Sequence, residues 1–81
     1  MNITDLYRHK HWDNLVQITG QEGSWVEFLS KGSLFWLEQL VFEQAYTYYR
    51  VGDPIQVDLD QLRQQAQASG ILVPREFNLI A

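Results

Sequence analysis

The sequence predicts a small α+β domain, in which an N-terminal β-hairpin packs on a central amphipathic helix, followed by a second, shorter helix and a C-terminal extended segment. Three observations predict this class. Residues 15–19 and 25–29 alternate apolar and polar side chains, as half-buried strands do. Residues 34–49 carry apolar side chains at helical spacing, and a second helical pattern lies between Asp58 and Gly70. The length of 81 residues indicates one domain, 1–81.

The composition excludes several classes of protein. The chain has no cysteine, which removes disulfides and most structural zinc sites, and its 46% hydrophobic content is far from a disordered composition. Its net charge is −4, with only six Lys and Arg residues, which disfavours binding to nucleic acid or to an anionic membrane. The N-terminal residues lack a signal-peptide pattern, and no apolar run is long enough for a membrane helix. We expect a soluble, acidic, cytoplasmic protein.

The N-terminal residues predict a short helix and then the hairpin. Thr4 is a suitable N-cap for a helix from Asp5 to about His11. The two alternating segments that follow are joined by residues 20–23, a loop of hairpin length with glycine at both ends. In a competing interpretation, Ser24 and Glu27 form a capping box that begins a short helix over 25–31.

The central helix is predicted from Leu34 to Tyr49. One apolar stripe contains Leu37 and Val41, and a second stripe covers another face of the same segment. Ser33 is a suitable N-cap. Arg50 would lie in the last turn, where the helix dipole favours a cation, and the Gly-Asp-Pro run that follows would end the helix.

The second helix is predicted from Leu59 to Ser69. Asp58 with Gln61 forms a capping signature, and Gly70 fits the position just after a helix end. The apolar residues of 71–73 and 77–80 predict an extended segment that closes the core.

Residue types that carry chemistry have simpler structural explanations. His9 and His11, with Asp5 and Asp13 nearby, include metal-ligating types, but they lack a diagnostic spacing. The acid pairs available for catalysis act as helix caps or lie on solvated helix edges: Glu38 with Glu43, and Asp58 with Asp60. We therefore predict no catalytic residue, no metal ligand and no cofactor.

One weak pattern suggests a DNA-binding regulator. Residues 62–79 contain Ala66, Gly70 and later apolar positions with a spacing similar to that of a helix-turn-helix unit. A helix C-cap explains Gly70 with fewer assumptions. Convergence of Arg8, Lys10, Arg50, Arg63 and Arg75 in space would favour this alternative.

The aromatic residues give the main functional hypothesis. An 81-residue core cannot cover all of them, so some should form an interaction surface. The candidate residues are Trp25, Trp36, Tyr46, Tyr48, Tyr49 and Arg50. We expect a non-enzymatic protein-interaction module or a small accessory subunit of a larger bacterial assembly, bound to a protein partner or to itself. A small enzyme or ligand-binding domain with an aromatic pocket is a further alternative.

Overall fold

The protein has a mixed α+β fold that is dominated by strands. The structure is a computed structural model and describes residues 1–77. The elements are β1 (Asp5–His9), β2 (Leu15–Glu22), β3 (Trp25–Ser30), β4 (Ser33–Glu38), α1 (Gln39–Ala45), β5 (Tyr46–Val51), α2 (Leu59–Ala68) and a short 3-10 helix (Arg75–Phe77).

The strands form one antiparallel sheet in the order β4-β3-β2-β1-β5. Strands β1 to β4 follow one another as a meander, and β5 returns to pair with β1 at the other edge. The connections at residues 10–14 and 31–32 therefore lie at one end of the sheet, which we call the hairpin end. The start of β5 also lies there, because Tyr46 pairs with His9.

The predicted hairpin is confirmed, and the competing helix over 25–31 is wrong. Strands β2 and β3 pair from Gln17 with Leu29 to Glu22 with Trp25, so the turn has only Gly23 and Ser24. Gly23 has a φ of 58°, which glycine adopts without steric cost. Gly20, expected in the loop, lies inside β2 at a register shift.

The predicted N-terminal helix over 5–11 is wrong. Residues 5–9 form β1, which is hydrogen-bonded to β2 on one side and to β5 on the other. Thr4 does not cap a helix; it has a φ of 80° and donates its backbone N–H to the carbonyl of Ile18. Two neighbouring strands stabilise an extended backbone more than a short isolated helix could stabilise itself.

The predicted central helix over 34–49 is also wrong: the segment divides into β4, α1 and β5. Phe35 pairs with Phe28 and Trp36 pairs with Glu27, so successive β4 residues face opposite sides of the sheet. Because apolar groups cover both sides of the sheet, residues on both faces of β4 are apolar, and its sequence is a nearly continuous apolar run. Such a run cannot be distinguished from a buried helix by periodicity alone.

The beginning and end of that segment have strand signals that helical spacing concealed. Lys31 and Gly32 have positive φ values of 51° and 82° and form a two-residue hairpin turn, after which Ser33 begins β4 instead of capping a helix. Residues 46–51 are rich in Tyr, Thr and Val, which favour strands. Arg50 therefore lies in β5 and not in the last turn of a helix.

Helix α1 covers one face of the sheet, which we call the α1 face. Phe42 is fully buried there among apolar residues of β2 and β3: Val16, Ile18, Val26 and Phe28. Leu37 packs at the margin of this cluster. Val41, predicted on the buried stripe, is 47% exposed.

Helix α2 packs at the opposite face of the sheet, which we call the α2 face. Its prediction is confirmed: Asp58 accepts a hydrogen bond from the backbone N–H of Gln61. Ser69 is the C-cap, and Gly70 follows with a φ of 83°. Ala66, Val73 and Phe77 form a second buried cluster with Trp25 and Trp36 packed against it.

The tail is only partly as predicted. Residues 71–74 have no regular secondary structure, and Arg75–Phe77 is a 3-10 helix instead of an extended segment. Val73 and Phe77 are buried, so this region does close the second cluster. The part of the prediction on residues 78–80 lies outside the described residues.

Candidate functional site

A groove lies on the α1 face near the hairpin end of the sheet. Helix α1 joins the far end of β4 to the start of β5, so it leaves the sheet beside the β3–β4 turn uncovered. The groove has a volume of about 350 Å³. We call it the aromatic groove, and its lining residues are Asn14, Phe28, Ser30, Phe35, Trp36, Leu37 and Tyr46.

A continuous row of rings forms the floor and one side of the aromatic groove. Phe35 stacks on Phe28 with centroids 5.8 Å apart, and Phe28 lies 5.6 Å from Tyr46. Tyr46 meets the ring of His9 edge-on at 5.0 Å, and His9 lies 6.0 Å from Trp12. Each spacing is within the range at which aromatic pairs attract one another. The row therefore continues from the groove to the tip of the β1–β2 hairpin.

The two ends of this row are open to solvent. Trp12 is 69% exposed and Phe35 is 48% exposed, while Phe28 between them is buried. The inner rings are fixed by the core, since Tyr46 stacks on the buried Phe42 with centroids 4.7 Å apart. Burial raises the pKa of the Tyr46 phenol, so its O–H remains a hydrogen-bond donor at neutral pH.

The position of Trp12 depends on His9. The Nδ1 atom of His9 accepts hydrogen bonds from the backbone N–H groups of His11 and Trp12, at 3.1 and 3.2 Å. These bonds hold the loop after β1 against the His9 ring. Because Nδ1 is an acceptor, the neutral imidazole carries its proton on Nε2.

Polar groups at the rim of the aromatic groove have no partner within residues 1–77. The side-chain amide of Asn14, the hydroxyl of Ser30 and the phenol of Tyr46 make no hydrogen bond there. Each of these groups can donate. The lining contains no charged side chain. The groove therefore offers apolar rings together with neutral donors.

The hairpin end of the sheet carries three basic side chains. Lys31 is exposed in the β3–β4 turn directly after Ser30, and Lys10 donates from Nζ to the carbonyl of Glu43 at 3.0 Å. Arg8 lies 3.6 Å from Asp13 in an exposed ion pair. The Glu43 carboxylate accepts a hydrogen bond from Gln39, one helical turn back along α1.

The structure divides the six predicted interaction residues among different surfaces. Tyr46 lines the aromatic groove. Trp36 is also among its lining residues, but its indole N–H donates to Glu27, and its side chain packs with Trp25 against the Ala66 cluster on the α2 face. Three of the six lie on the edge strand β5 outside the groove: Tyr48, Tyr49 and Arg50. Tyr48 contacts Tyr7, and the Arg50 guanidinium lies 6.0 Å from the Tyr49 ring centroid.

Sequence reasoning missed Phe28, Phe35 and His9 as members of the site. The alternation of residues 25–29 predicts a strand for Phe28, but the helical spacing of residues 34–49 predicts a helix for Phe35, which hides their cross-strand pairing. The available signal was the two-residue spacer Lys31-Gly32 between two apolar runs, since this length and a glycine predict a hairpin.

A second polar cluster, on the α2 face, has a structural role. Glu27 is fully buried, and each of its carboxylate oxygens accepts two hydrogen bonds. The donors are Thr19, Trp36 and, twice, Arg63. A carboxylate whose oxygens are all engaged in this way is poorly placed to exchange a proton with a substrate.

The residues considered for metal binding are not gathered at one place. Asp5 is buried at the end of β1 opposite His9, where it accepts a hydrogen bond from the backbone N–H of Asn2. Asp13 is paired with Arg8. Among residues 1–77, no group of three His, Cys, Asp or Glu side chains could hold a metal ion.

The features expected of a DNA-binding unit are also dispersed. After Gly70 the part of the chain that the structure describes contains only the 3-10 helix Arg75–Phe77, and no second α-helix. Arg8 and Lys10 lie at the hairpin end, Arg50 lies toward the opposite end of β5, and Arg63 is engaged by Glu27.

No helix within residues 1–77 is long and apolar enough to span a membrane. Comparison with known proteins gives no relative, since no protein-family model, no curated protein and no solved structure matches this chain.

Proposed function

We propose that this protein is a non-enzymatic protein-interaction module, and that the aromatic groove is its binding surface. The row of rings from Trp12 to Phe35 is the observation that carries the proposal. Aromatic side chains supply a large contact area at a low cost in conformational entropy, and they dominate the energetics of protein interfaces.

The lining residues favour a protein segment, rather than a small polar ligand, as the occupant of the aromatic groove. Pockets for small polar ligands fix their ligand with a few convergent polar or charged groups. The aromatic groove has no charged side chain in its lining, and its neutral donors are at the rim. Tyr46 in the groove is anchored to Phe42, and the ring of Phe35 is exposed, which is an arrangement suited to receiving the apolar side chains of a partner.

The experiment compares two alanine variants as bait in affinity capture from a cell lysate. Phe35→Ala removes an exposed ring from the groove, whereas Leu40→Ala removes an exposed side chain, 72% accessible, from α1 outside it. We expect Phe35→Ala to lose at least one partner that the unmodified protein and Leu40→Ala retain. Melting curves of both variants check that they fold. Equal capture by the two variants would overturn the proposal.

A further inference from the structure

We infer that the partner presents an extended peptide in which apolar side chains are flanked by carboxylates, and that these carboxylates face the hairpin end. This inference rests on the proposed function, because it names the chemistry of what the aromatic groove binds. Two independent features support it: the chemistry of the lining and the distribution of charge over the two ends of the sheet.

The lining favours a segment in extended conformation. The uncommitted groups at the rim are Asn14, Ser30 and the Tyr46 phenol, all of which can donate hydrogen bonds. A peptide that lies extended across rings exposes its backbone carbonyls, which need donors. A helical segment has most of its carbonyls already bonded internally and would leave these donors unused. The rings of Phe28 and Phe35 would take the apolar side chains.

The charge distribution favours acidic flanks. The whole chain has a net charge of −4, yet three of its six Lys and Arg residues lie at or beside the hairpin end: Arg8, Lys10 and Lys31. Two carboxylates, Asp13 and Glu43, also lie toward this end, and both are engaged, Asp13 by Arg8 and Glu43 by Gln39. At the opposite end of the sheet, four carboxylates lie at the end that holds Arg50. They are Asp5, Glu22, Glu38 and Asp53.

Lys31 is the cation best placed to act on a bound peptide. It is exposed, it follows the groove residue Ser30 directly, and within residues 1–77 its ammonium group has no ion-pair or hydrogen-bond partner. Lys10 is held by the Glu43 carbonyl and Arg8 is paired with Asp13. An exposed, unpaired cation at the rim attracts an acidic segment and repels a basic one, which sets both association rate and selectivity.

The test uses three fluorescein-labelled synthetic peptides in anisotropy titrations with the full chain. The first has a Phe-Pro-Leu-Pro-Phe centre with Asp residues on both sides. The second replaces the Asp residues by Lys, and the third keeps the Asp residues but replaces the apolar centre by Gly and Ser. We expect the first peptide to bind, and the other two to bind at least about tenfold more weakly.

Two charge reversals serve as a matched pair. Lys31→Glu and Arg50→Glu change the net charge equally, but Lys31 lies at the groove and Arg50 on β5 toward the other end of the sheet. We expect Lys31→Glu to weaken binding of the acidic peptide about three- to tenfold, and Arg50→Glu to weaken it less. The effect of Lys31→Glu should be smaller at high salt, because salt screens exposed charges. Phe35→Ala should abolish binding of the same peptide.

The outcomes separate the two proposals. If Phe35→Ala loses a captured partner but the Asp-flanked and Lys-flanked peptides bind equally, or no peptide binds, the aromatic groove is an interaction site and the inference about acidic partners is wrong. Equal effects of Lys31→Glu and Arg50→Glu would also overturn it. If Phe35→Ala changes neither capture nor peptide binding, the proposed function itself fails.

Discussion

Arg63 on α2 reaches across to the sheet and donates two hydrogen bonds to the carboxylate of Glu27 in β3, from Nε at 2.8 Å and from Nη2 at 2.6 Å. Glu27 is fully buried, while Arg63 retains a 16% exposed side chain and a second contact, 3.0 Å long, to Asp60. The hydrogen bonds that Arg63 donates to Glu27 are the main cause of the raised pKa of the Arg63 guanidinium. The pair fixes α2 to the sheet.

Loss of Arg63 should destabilise the protein severely. Arg63→Ala leaves the Glu27 carboxylate buried without its counterion, a change that costs about 3–5 kcal/mol in other proteins. Urea unfolding followed by circular dichroism measures the change. Asp60→Asn is the control, because it removes only the exposed partner and should cost less than about 1 kcal/mol. Glu27→Gln in the Arg63→Ala background should recover part of the stability, since it removes the uncompensated charge.

Phe42 should be the most sensitive residue of α1. It is fully buried and contacts Tyr7, Phe28 and Tyr46, so Phe42→Ala should cost about 3–5 kcal/mol. Leu40→Ala on the same helix should change the free energy of unfolding by less than about 0.5 kcal/mol. Similar losses for the two variants would mean that α1 packs with a different face.

Two glycines should tolerate alanine unequally. A Cβ on Gly52 would lie 2.6 Å from the backbone oxygen of Thr4, whereas a Cβ on Gly20 would lie 2.9 Å from a ring carbon of Phe77. The Phe77 ring can shift, but the Thr4 carbonyl is held by its hydrogen bond from the Gly52 N–H. Thermal melts should therefore show a larger loss for Gly52→Ala, at or above the upper end of the usual range of about 1–3 kcal/mol for overpacking.

Stability should fall as the pH rises above about 10. Burial is the main cause of the raised pKa of Tyr7, and burial also raises the pKa of Tyr46, both above the ordinary value of 10.0. At a pH just above that value, the unfolded chain has lost these protons while the folded chain retains them, so deprotonation favours unfolding. An alkaline titration followed by tyrosinate absorbance should show tyrosines that lose their protons above the ordinary pKa. Tyr7→Phe and Tyr46→Phe should each remove one such tyrosine from the titration curve. Titration of all tyrosines at the ordinary value would contradict this.

Which aromatic residues come together depends on whether residues 34–49 form one helix or two strands joined by a short helix. The prediction that uncovered aromatic residues form an interaction surface was made from composition, and it stays a prediction. Its residue list combines Tyr46, which lines the groove, with Trp25 and Trp36, which pack on the α2 face, because the helical spacing of residues 34–49 places Trp36 and Tyr46 on one element. Pairing of β3 with β4 brings Phe28 and Phe35 together, which helical spacing cannot indicate.

Local signals in the sequence determined the elements whose ends are marked and whose faces differ. The hairpin has alternating strands and a glycine turn, and α2 has the Asp58 cap and Gly70, so both were predictable. Only the tertiary structure decided the pairing of β1 with β5, because the backbone hydrogen bonds between these strands join residues distant in sequence. Strand β4 had a local signal, the Lys31-Gly32 turn, which the helical spacing of residues 34–49 concealed. The aromatic groove also needs Tyr46 of β5 beside Phe28, and Arg63 of α2 reaches Glu27 of β3, and both contacts join residues distant in sequence.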